Sequence, residues 1–202
     1  MPEHVYGKIS SQLFESNDFL QDMAKFYVDD QNFQDVKITV QEKIFGAHKA
    51  VLAARSKVFA VMFTNEVSEK CNSLVEIKDM MPEVVEKMLS FIYIDKVEDS
   101  ELKKFAPEIL AAAEKYNLQS LKKRCVAAMH RNLSVENVLN TLEVVDTYSI
   151  SNLKKVALKY LVTHRQDVKS QDEFKTLIAV RPHLVVEMID IQDNIPGTLS
   201  YD

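Results

Sequence analysis

The sequence has 202 residues, 47% of them hydrophobic and 27% charged, which is the balance of a globular protein with enough chain for a substantial core. The formal net charge of −5 gives no general electrostatic attraction to nucleic acids or anionic membranes. Cys71 and Cys125 show no CxxC spacing, so we interpret both as reduced thiols of an intracellular protein. Residues 1–17 are polar and unlike a signal peptide, and no apolar run approaches the roughly 20 residues of a membrane span.

The first half of the chain mixes helical and strand periodicity. Apolar residues at helical spacing predict an amphipathic helix over Phe19–Val28. Alternating apolar residues predict a strand over Val36–Val40, with Ile44 and Phe45 as a short return strand. From Ala47 the helical period returns and predicts two short helices that break near Ser56.

The next segments continue this alternation. Leu74–Ile77 predicts a third short strand, and Pro82 is placed as the first residue of a helix. Two further helices are predicted, at about Pro107–Tyr116 and Gln119–Met129. The fold class that follows is α+β, with a short mixed sheet flanked by helices.

Beyond Asn132 the pattern is helical throughout, with Ser134 as the predicted N-cap of the first helix. We therefore expect an all-α helical-hairpin extension after the mixed module. The predicted organisation is a flexible N-terminal segment (1–18), the mixed module (19–131), the helical extension (132–189) and a flexible tail (190–202).

No pattern in the sequence predicts catalysis, a cofactor or a metal site. Glycine occurs only at positions 7, 46 and 197, whereas loops that bind phosphate depend on glycine. The five histidines are scattered, with no HExxH spacing, and no GxSxG or Cys/His nucleophile motif occurs. We expect a protein that is not an enzyme.

Several runs of residues resemble the signature of BTB/POZ domains. They are Phe33–Val36, Phe45–Ser56, Val58–Phe59, Met62–Phe63, Pro82–Glu83, Phe91–Tyr93 and Ala111–Tyr116. The run Asn132–Asn137 resembles the start of the 3-box and BACK-type extension in the MATH-BTB group that includes the speckle-type POZ protein, and His183–Val185 fits the same group. The resemblance covers roughly Leu20 to Ile189, without a MATH domain before it.

The resemblance implies an adaptor that binds the N-terminal domain of Cullin-3 in the nucleus, the cytoplasm or both. The triplet Val67-Ser68-Glu69 stands where cullin-binding relatives have a hydrophobic residue, any residue and glutamate. An apolar side chain would fill a pocket on the partner beside a polar contact from the carboxylate. The implied cullin-binding residues are Met62, Phe63, Val67, Ser68, Glu69 and Tyr116. The alternative for Val67 is a loop residue that caps its own core.

The resemblance also implies a two-fold dimer. Its interface would be formed by Leu20, Met23, Ala24, Tyr27 and Val51. The alternative is that this helix packs only on its own chain.

Two further features follow from the resemblance. Asp35 and Lys49 match the charged pair of the groove that binds corepressor peptides in BTB transcription regulators, and the alternative is a structural ion pair. The last helix, with Leu184, Val185, Met188 and Ile189, would support a second self-contact and higher oligomers. Heterodimers with BTB relatives are another expectation, and the sequence does not identify the substrate.

The function we predict is a dimeric substrate adaptor of a Cullin-3 RING ubiquitin ligase, which docks on the cullin through the BTB and 3-box surfaces. The alternative is a BTB oligomerisation scaffold or corepressor-binding module that does not bind a cullin.

Overall fold

The computed structural model describes residues 18–28, 33–64, 73–168 and 172–193. In chain order the elements are α1 (Asp18–Val28), β1 (Val36–Val40), β2 (Lys43–Ala47), α2 (Lys49–Arg55), α3 (Lys57–Thr64), β3 (Leu74–Ile77), α4 (Pro82–Ile94), α5 (Asp99–Lys115), α6 (Gln119–Arg131), α7 (Val138–Thr147), α8 (Ser151–Thr163), α9 (Arg165–Val168), α10 (Asp172–Val180) and α11 (His183–Asp193). The chain divides into two compact units, and the boundary along the sequence falls inside α6, between Lys122 and Lys123.

The sheet of the first unit is small and mixed, which confirms the predicted α+β class. β1 lies in the middle, antiparallel to β2 and parallel to β3. The inward side chains of β1, at Val36, Ile38 and Val40, are buried, whereas Lys37 points outward to solvent. The period of two in the sequence therefore gives the buried face directly.

Helix α4 forms the centre of this unit. It packs against α1, α2 and α5, and most of its side chains are buried. A helix that is apolar on nearly all sides needs partners all round, and α4 has them. Pro82 is the first helical residue, as predicted, because its missing N–H would have no intrahelical acceptor there.

The break between α2 and α3 is caused by Ser56, which has extended backbone angles. Its hydroxyl accepts a hydrogen bond from the Phe59 amide (3.2 Å) and so caps the first turn of α3. The same hydroxyl donates to the Tyr116 carbonyl oxygen at 2.7 Å, which ties this break to the end of α5. Buried Ser56 thus satisfies its own polar group while it ends one helix and starts the next.

Helix α5 is longer than predicted, because Pro107 lies inside the helix and does not mark its start. We placed a helix start at this proline, whereas α5 begins at Asp99 and continues through Pro107. Phe105 has non-helical backbone angles (φ −124°, ψ 16°), so two helical pieces meet at a kink. Proline lacks the amide hydrogen and its ring displaces the carbonyl four residues earlier, which bends a helix without necessarily ending it.

The predicted N-cap at Ser134 is wrong, because α7 begins only at Val138. Residues 134–137 form a turn in which the Ser134 carbonyl oxygen accepts from the amides of Asn137 (3.3 Å) and Val138 (3.0 Å). The Asn137 carboxamide accepts from the Ser134 amide and donates to the Asn132 carbonyl. These side-chain bonds to the backbone stabilise the turn in place of the first helical turn.

Among its described residues, the second unit consists of α-helices joined by short turns, without a strand. α7 and α8 pack together, α11 packs on α8, and α10 contacts α7. The last helix continues to Asp193, so 190–193 belong to α11 and not to the tail in which we placed them. The remainder of the predicted tail lies outside the described residues, and so do residues 1–17 of the predicted flexible segment 1–18. The last residue of that segment, Asp18, begins α1.

Among the described residues, no helix combines the length and the apolar character that crossing a bilayer requires.

Candidate functional site

The predicted cullin-binding surface is described only in part. Val67, Ser68 and Glu69 lie outside the described residues. Helix α3, which leads toward them, exposes Val61 at 57%, while Met62 and Phe63 are half-buried. The last turns of α3 therefore expose one apolar side chain, that of Val61, and leave those of Met62 and Phe63 partly accessible.

Tyr116 supports this surface from beneath. Its ring is buried and stacks on Phe59 with the centroids 4.6 Å apart, and Phe59 in turn stacks on Phe63 at 5.8 Å. Burial raises the pKa of Tyr116 to about 12, with a smaller contribution from the charge of Asp79. In this position Tyr116 holds α3 in place and is not itself available to a partner.

Helix α1 presents two apolar stripes, and they have different environments. Ala24 and Tyr27 are 7% and 5% exposed, because they pack within the chain where α1 meets α4. Phe19 is 66% exposed, and Met23 and Phe26 follow it at helical spacing. Leu20 and Val51, the other predicted interface residues, are half-buried. Two of the five predicted interface residues are thus buried within a single chain.

Two aromatic stacks attach α1 to the rest of the unit. Phe26 lies over the His48 ring with the centroids 3.9 Å apart, and Tyr27 lies over Tyr93 at 4.5 Å. His48 and Tyr93 are both buried and contact each other. Aromatic contacts of this kind add roughly 0.5–1.5 kcal/mol each to area burial. Sequence periodicity gave no signal for this cluster, because it joins α1, α2 and α4.

The predicted groove pair, Asp35 and Lys49, is joined in an unexpected way. The Lys49 backbone amide, at the start of α2, donates to the Asp35 carboxylate at 2.7 Å. The Lys49 ammonium lies 5.9 Å from the centroid of the Phe63 ring. Asp35 therefore satisfies an amide at a helix N-terminus, where a negative charge is stabilising.

A cluster of ionic side chains in the second unit was not predicted. The Asp146 carboxylate, whose side chain is 10% exposed, accepts from Arg181 (2.5 Å), Lys154 (3.1 Å) and His183 (3.0 Å). Lys154 also pairs with Glu187 at 2.6 Å. The cluster joins α7, α8 and α11 through contacts 8 to 37 residues apart in sequence, so no local motif could reveal it.

The cluster has the character of an ion-pair network rather than a metal site. Burial raises the pKa of Asp146, but hydrogen bonds from His183, Arg181 and Lys154 outweigh that effect and lower the pKa to about 2. Asp146, His183 and Glu187 bring ligand-type atoms within 4.8 Å of one another. Lys154 and Arg181 already neutralise these carboxylates, however, and their positive charge would repel a cation.

The residues predicted for a second self-contact divide between core and surface. Leu184 is buried within the unit, Val185 and Met188 are half-buried, and Ile189 is exposed. Val186, which was not predicted, is also exposed. Only part of this set is therefore accessible to another molecule.

Comparisons with known proteins agree with the fold. Residues 26–133 match the family model described as BTB/POZ domain. The mouse (Mus musculus) TD and POZ domain-containing proteins 5 and 4 are similar to this chain, at 40% identity over 153 residues and 39% over 155. These matches cover 76% and 77% of this chain but only 45% and 42% of the relatives, so the chain spans less than half of their length.

Among solved structures, the BTB domain of zebrafish PATZ1 matches with a TM-score of 0.49 at 28% identity, over 62% of this chain and 98% of that one. The family model itself covers more than half of the 202 residues. A helical region follows the matched domain, as the sequence predicts. The chain therefore belongs to the BTB/POZ domain family, a family of protein-interaction modules.

Proposed function

We propose that this chain is a non-catalytic, self-associating adaptor that binds the N-terminal domain of Cullin-3. The observation that carries the proposal is the apolar surface of α3, with exposed Val61 beside half-buried Met62 and Phe63, directly before the triplet Val67-Ser68-Glu69. Exposed apolar groups with a carboxylate close by in the sequence suit a protein partner, since apolar anchors provide most of the binding energy and charges provide specificity.

An adaptor of this kind accelerates ubiquitin transfer by proximity. A target bound to the same assembly meets the activated ubiquitin carrier at an effective concentration that reaches the order of millimolar. Two copies of the adaptor would add avidity. The proposal includes a substrate protein, which the sequence does not identify, and it places the function in the nucleus, the cytoplasm or both.

The self-associating surface that we propose is the outer stripe of α1. Ala24 and Tyr27 are already used within the chain, which leaves Met23 and strongly exposed Phe19, with half-buried Leu20, for a second copy. Apolar groups left exposed on the same helix face favour association, and a two-fold dimer is the commonest solution. The accessible residues of the predicted second self-contact on α11, half-buried Val185 and Met188 with exposed Ile189, are the proposed site of any higher oligomer.

The cullin assignment is tested by titrating Cullin-3 N-terminal domain against wild type, Val67→Asp and Glu69→Lys, with Glu76→Lys at an exposed position of β3 as the matched charge reversal. We expect both loop variants to lose binding and the control to keep it, with all variants equally self-associated by sedimentation. Unchanged affinity in both loop variants would falsify the docking assignment and favour a scaffold that binds no cullin.

The self-association assignment has its own test. Phe19→Asp with Met23→Asp should give a monomer by sedimentation equilibrium, because two charges would be buried in the contact. Lys25→Asp, on the polar face of the same helix, should leave the mass unchanged. A double variant that keeps the wild-type mass would exclude this face.

The corepressor-groove alternative receives less support. It needs Asp35 and Lys49 to face a peptide, but the Asp35 carboxylate is engaged by the Lys49 amide at the start of α2. Asp35→Ala is therefore expected to destabilise the unit by about 1 kcal/mol through loss of this helix-start contact.

A further inference from the structure

Helix α8 turns one face to the interior of the second unit and the opposite face to solvent. The inner face packs against α7 and α11 and carries the buried side chains of Leu153, Ala157, Leu158 and Leu161. The outer face carries five residues that are all exposed, which are Asn152, Lys155, Val156, Lys159 and Thr163. Their spacing places them along one side of about three helical turns, and we call them the α8 stripe.

The α8 stripe holds two positive charges without a counter-charge. Among the described residues, the ammonium groups of Lys155 and Lys159 form no ion pair or hydrogen bond. Lys154, the preceding residue of the helix, pairs with Asp146 (3.1 Å) and Glu187 (2.6 Å) within the unit. Helix α8 contains no acidic residue, and like charges one turn apart repel each other. A carboxylate from another molecule would relieve this repulsion.

Val156 adds an apolar group to the same surface. Its side chain is 38% exposed, although several other apolar residues of the helix are buried. It lies three residues before Lys159, so these two side chains are neighbours on the helix surface. A surface that combines charges with an exposed apolar side chain suits a protein, since charges orient the partner and apolar contacts add binding energy.

We propose that the α8 stripe binds an acidic segment of a partner protein. Two carboxylates of the segment pair with Lys155 and Lys159, and an aliphatic side chain covers Val156. Side chains one helical turn apart are separated by about 6 Å, and alternate side chains of an extended chain by about 7 Å. An extended segment with acids at alternate positions therefore matches the two lysines.

Other anionic surfaces fit the α8 stripe less well than a protein does. Nucleic acid binding depends on many phosphate contacts, and the stripe offers two lysines on a chain whose formal net charge is −5. Binding to an anionic membrane needs a broad apolar face, whereas Val156 is the one apolar residue of the stripe. In the adaptor proposed above, the acidic segment belongs to the substrate. That assignment rests on the proposed function, whereas binding of the segment does not.

The experiment is fluorescence anisotropy with a dye-labelled peptide of about ten residues, which spans the stripe when extended, has glutamate at alternate positions and contains leucine. Wild type should bind the peptide, and its affinity should fall as salt rises because exposed charges are screened. The stripe variant, Lys155→Glu with Lys159→Glu, should bind at least roughly tenfold more weakly, since two attractions become repulsions. Val156→Ser should weaken binding severalfold and leave its salt dependence unchanged.

The matched control is Lys103→Glu with Lys104→Glu, which makes the same change in net charge at two exposed lysines of α5. It should bind the peptide like wild type, because neither residue belongs to the α8 stripe. A loss equal to that of the stripe variant would show that net charge alone attracts the peptide, and would overturn the proposal.

Three further outcomes would overturn it. They are wild-type affinity in the stripe variant, equal binding of a peptide with lysine in place of glutamate, and tighter binding of double-stranded DNA than of the peptide. If the charge reversal prevents folding, Lys155→Gln with Lys159→Gln decides in its place by the same criterion.

Titration of Cullin-3 N-terminal domain against the stripe variant separates this inference from the proposed function. Unchanged cullin affinity supports a separate surface for the acidic segment, whereas lost affinity would assign the stripe to the cullin and overturn the inference. Peptide binding by a chain that binds no cullin supports the inference and refutes only the proposed function.

Discussion

Replacement of Asp146 by asparagine tests how the last helices are held in the second unit. The asparagine side chain would keep the shape of the aspartate but remove the charge that Arg181, Lys154 and His183 share. The lowered pKa, from 3.8 to about 2, corresponds to about 2 kcal/mol in favour of the charged form. Solvent screening at the edge of the cluster reduces this value, so we expect Asp146→Asn to lower the free energy of unfolding by about 1 kcal/mol.

The pH dependence of that loss has a definite sign. Because the folded state lowers the pKa of Asp146, its contribution is complete above pH 3.8 and disappears as pH falls through about 2. The position of Asp146 in the last turn of α7 lowers the net value further, since a helix C-terminus disfavours negative charge. The three cationic partners compensate for this unfavourable placement.

The assay is urea unfolding of wild type, Asp146→Asn and Glu143→Gln at pH 7, with hydrogen exchange of α11 as a local readout. Glu143 is an exposed acid on the same helix and has no part in the cluster, which makes it the matched control. If Asp146→Asn costs no more than Glu143→Gln, or if α11 exchange is unchanged, the reasoning about the cluster fails.

Other predictions follow from single residues. Ser149, which follows α7, has a left-handed backbone angle (φ 53°). Because this region strains residues other than glycine, Ser149→Gly should raise the free energy of unfolding by about 0.5–1 kcal/mol, as measured by chemical unfolding. Leu184 is buried, so Leu184→Ala should lower the free energy of unfolding by about 2–5 kcal/mol in the same assay. Val186 is exposed, so Val186→Ala should change it by less than about 0.5 kcal/mol. Burial raises the pKa of the Cys125 thiol to about 12, so in a Cys71→Ser background a thiol reagent at pH 8 should label Cys125 only after unfolding.

Periodicity predicted the elements where one physical rule decides the outcome. The three strands follow from alternation, and β1 and β3 have the predicted bounds. Pro82 marks the start of α4 because first-turn proline is favoured, and this too was predicted. In each of these cases the side-chain pattern and the backbone requirement point to the same structure.

The sequence was misleading where two rules compete. Proline favours the first turn of a helix but can also bend one, and Pro107 does the second because Leu102 and Ala106 before it are buried. Serine favours an N-cap but also stabilises turns, and at Ser134 the Asn137 carboxamide decides for the turn. Burial of Leu102 and Ala106 depends on the rest of the fold, so no local pattern reveals the first case. The second case is decided locally, three residues from Ser134, but by a side-chain bond to the backbone that apolar periodicity does not record.

The predicted dimer-interface residues of α1 also show that local sequence patterns do not determine which side chains remain on the surface. Phe19 and Met23 repeat at helical spacing, and so do Leu20, Ala24 and Tyr27, so periodicity alone cannot say which stripe faces the core. The choice is made by α4, which offers Tyr93 as a stacking partner for Tyr27. Once Ala24 and Tyr27 are buried in one chain, they have almost no surface left to offer another. The energy of any association through α1 must therefore come from side chains that the monomer leaves exposed, above all Phe19.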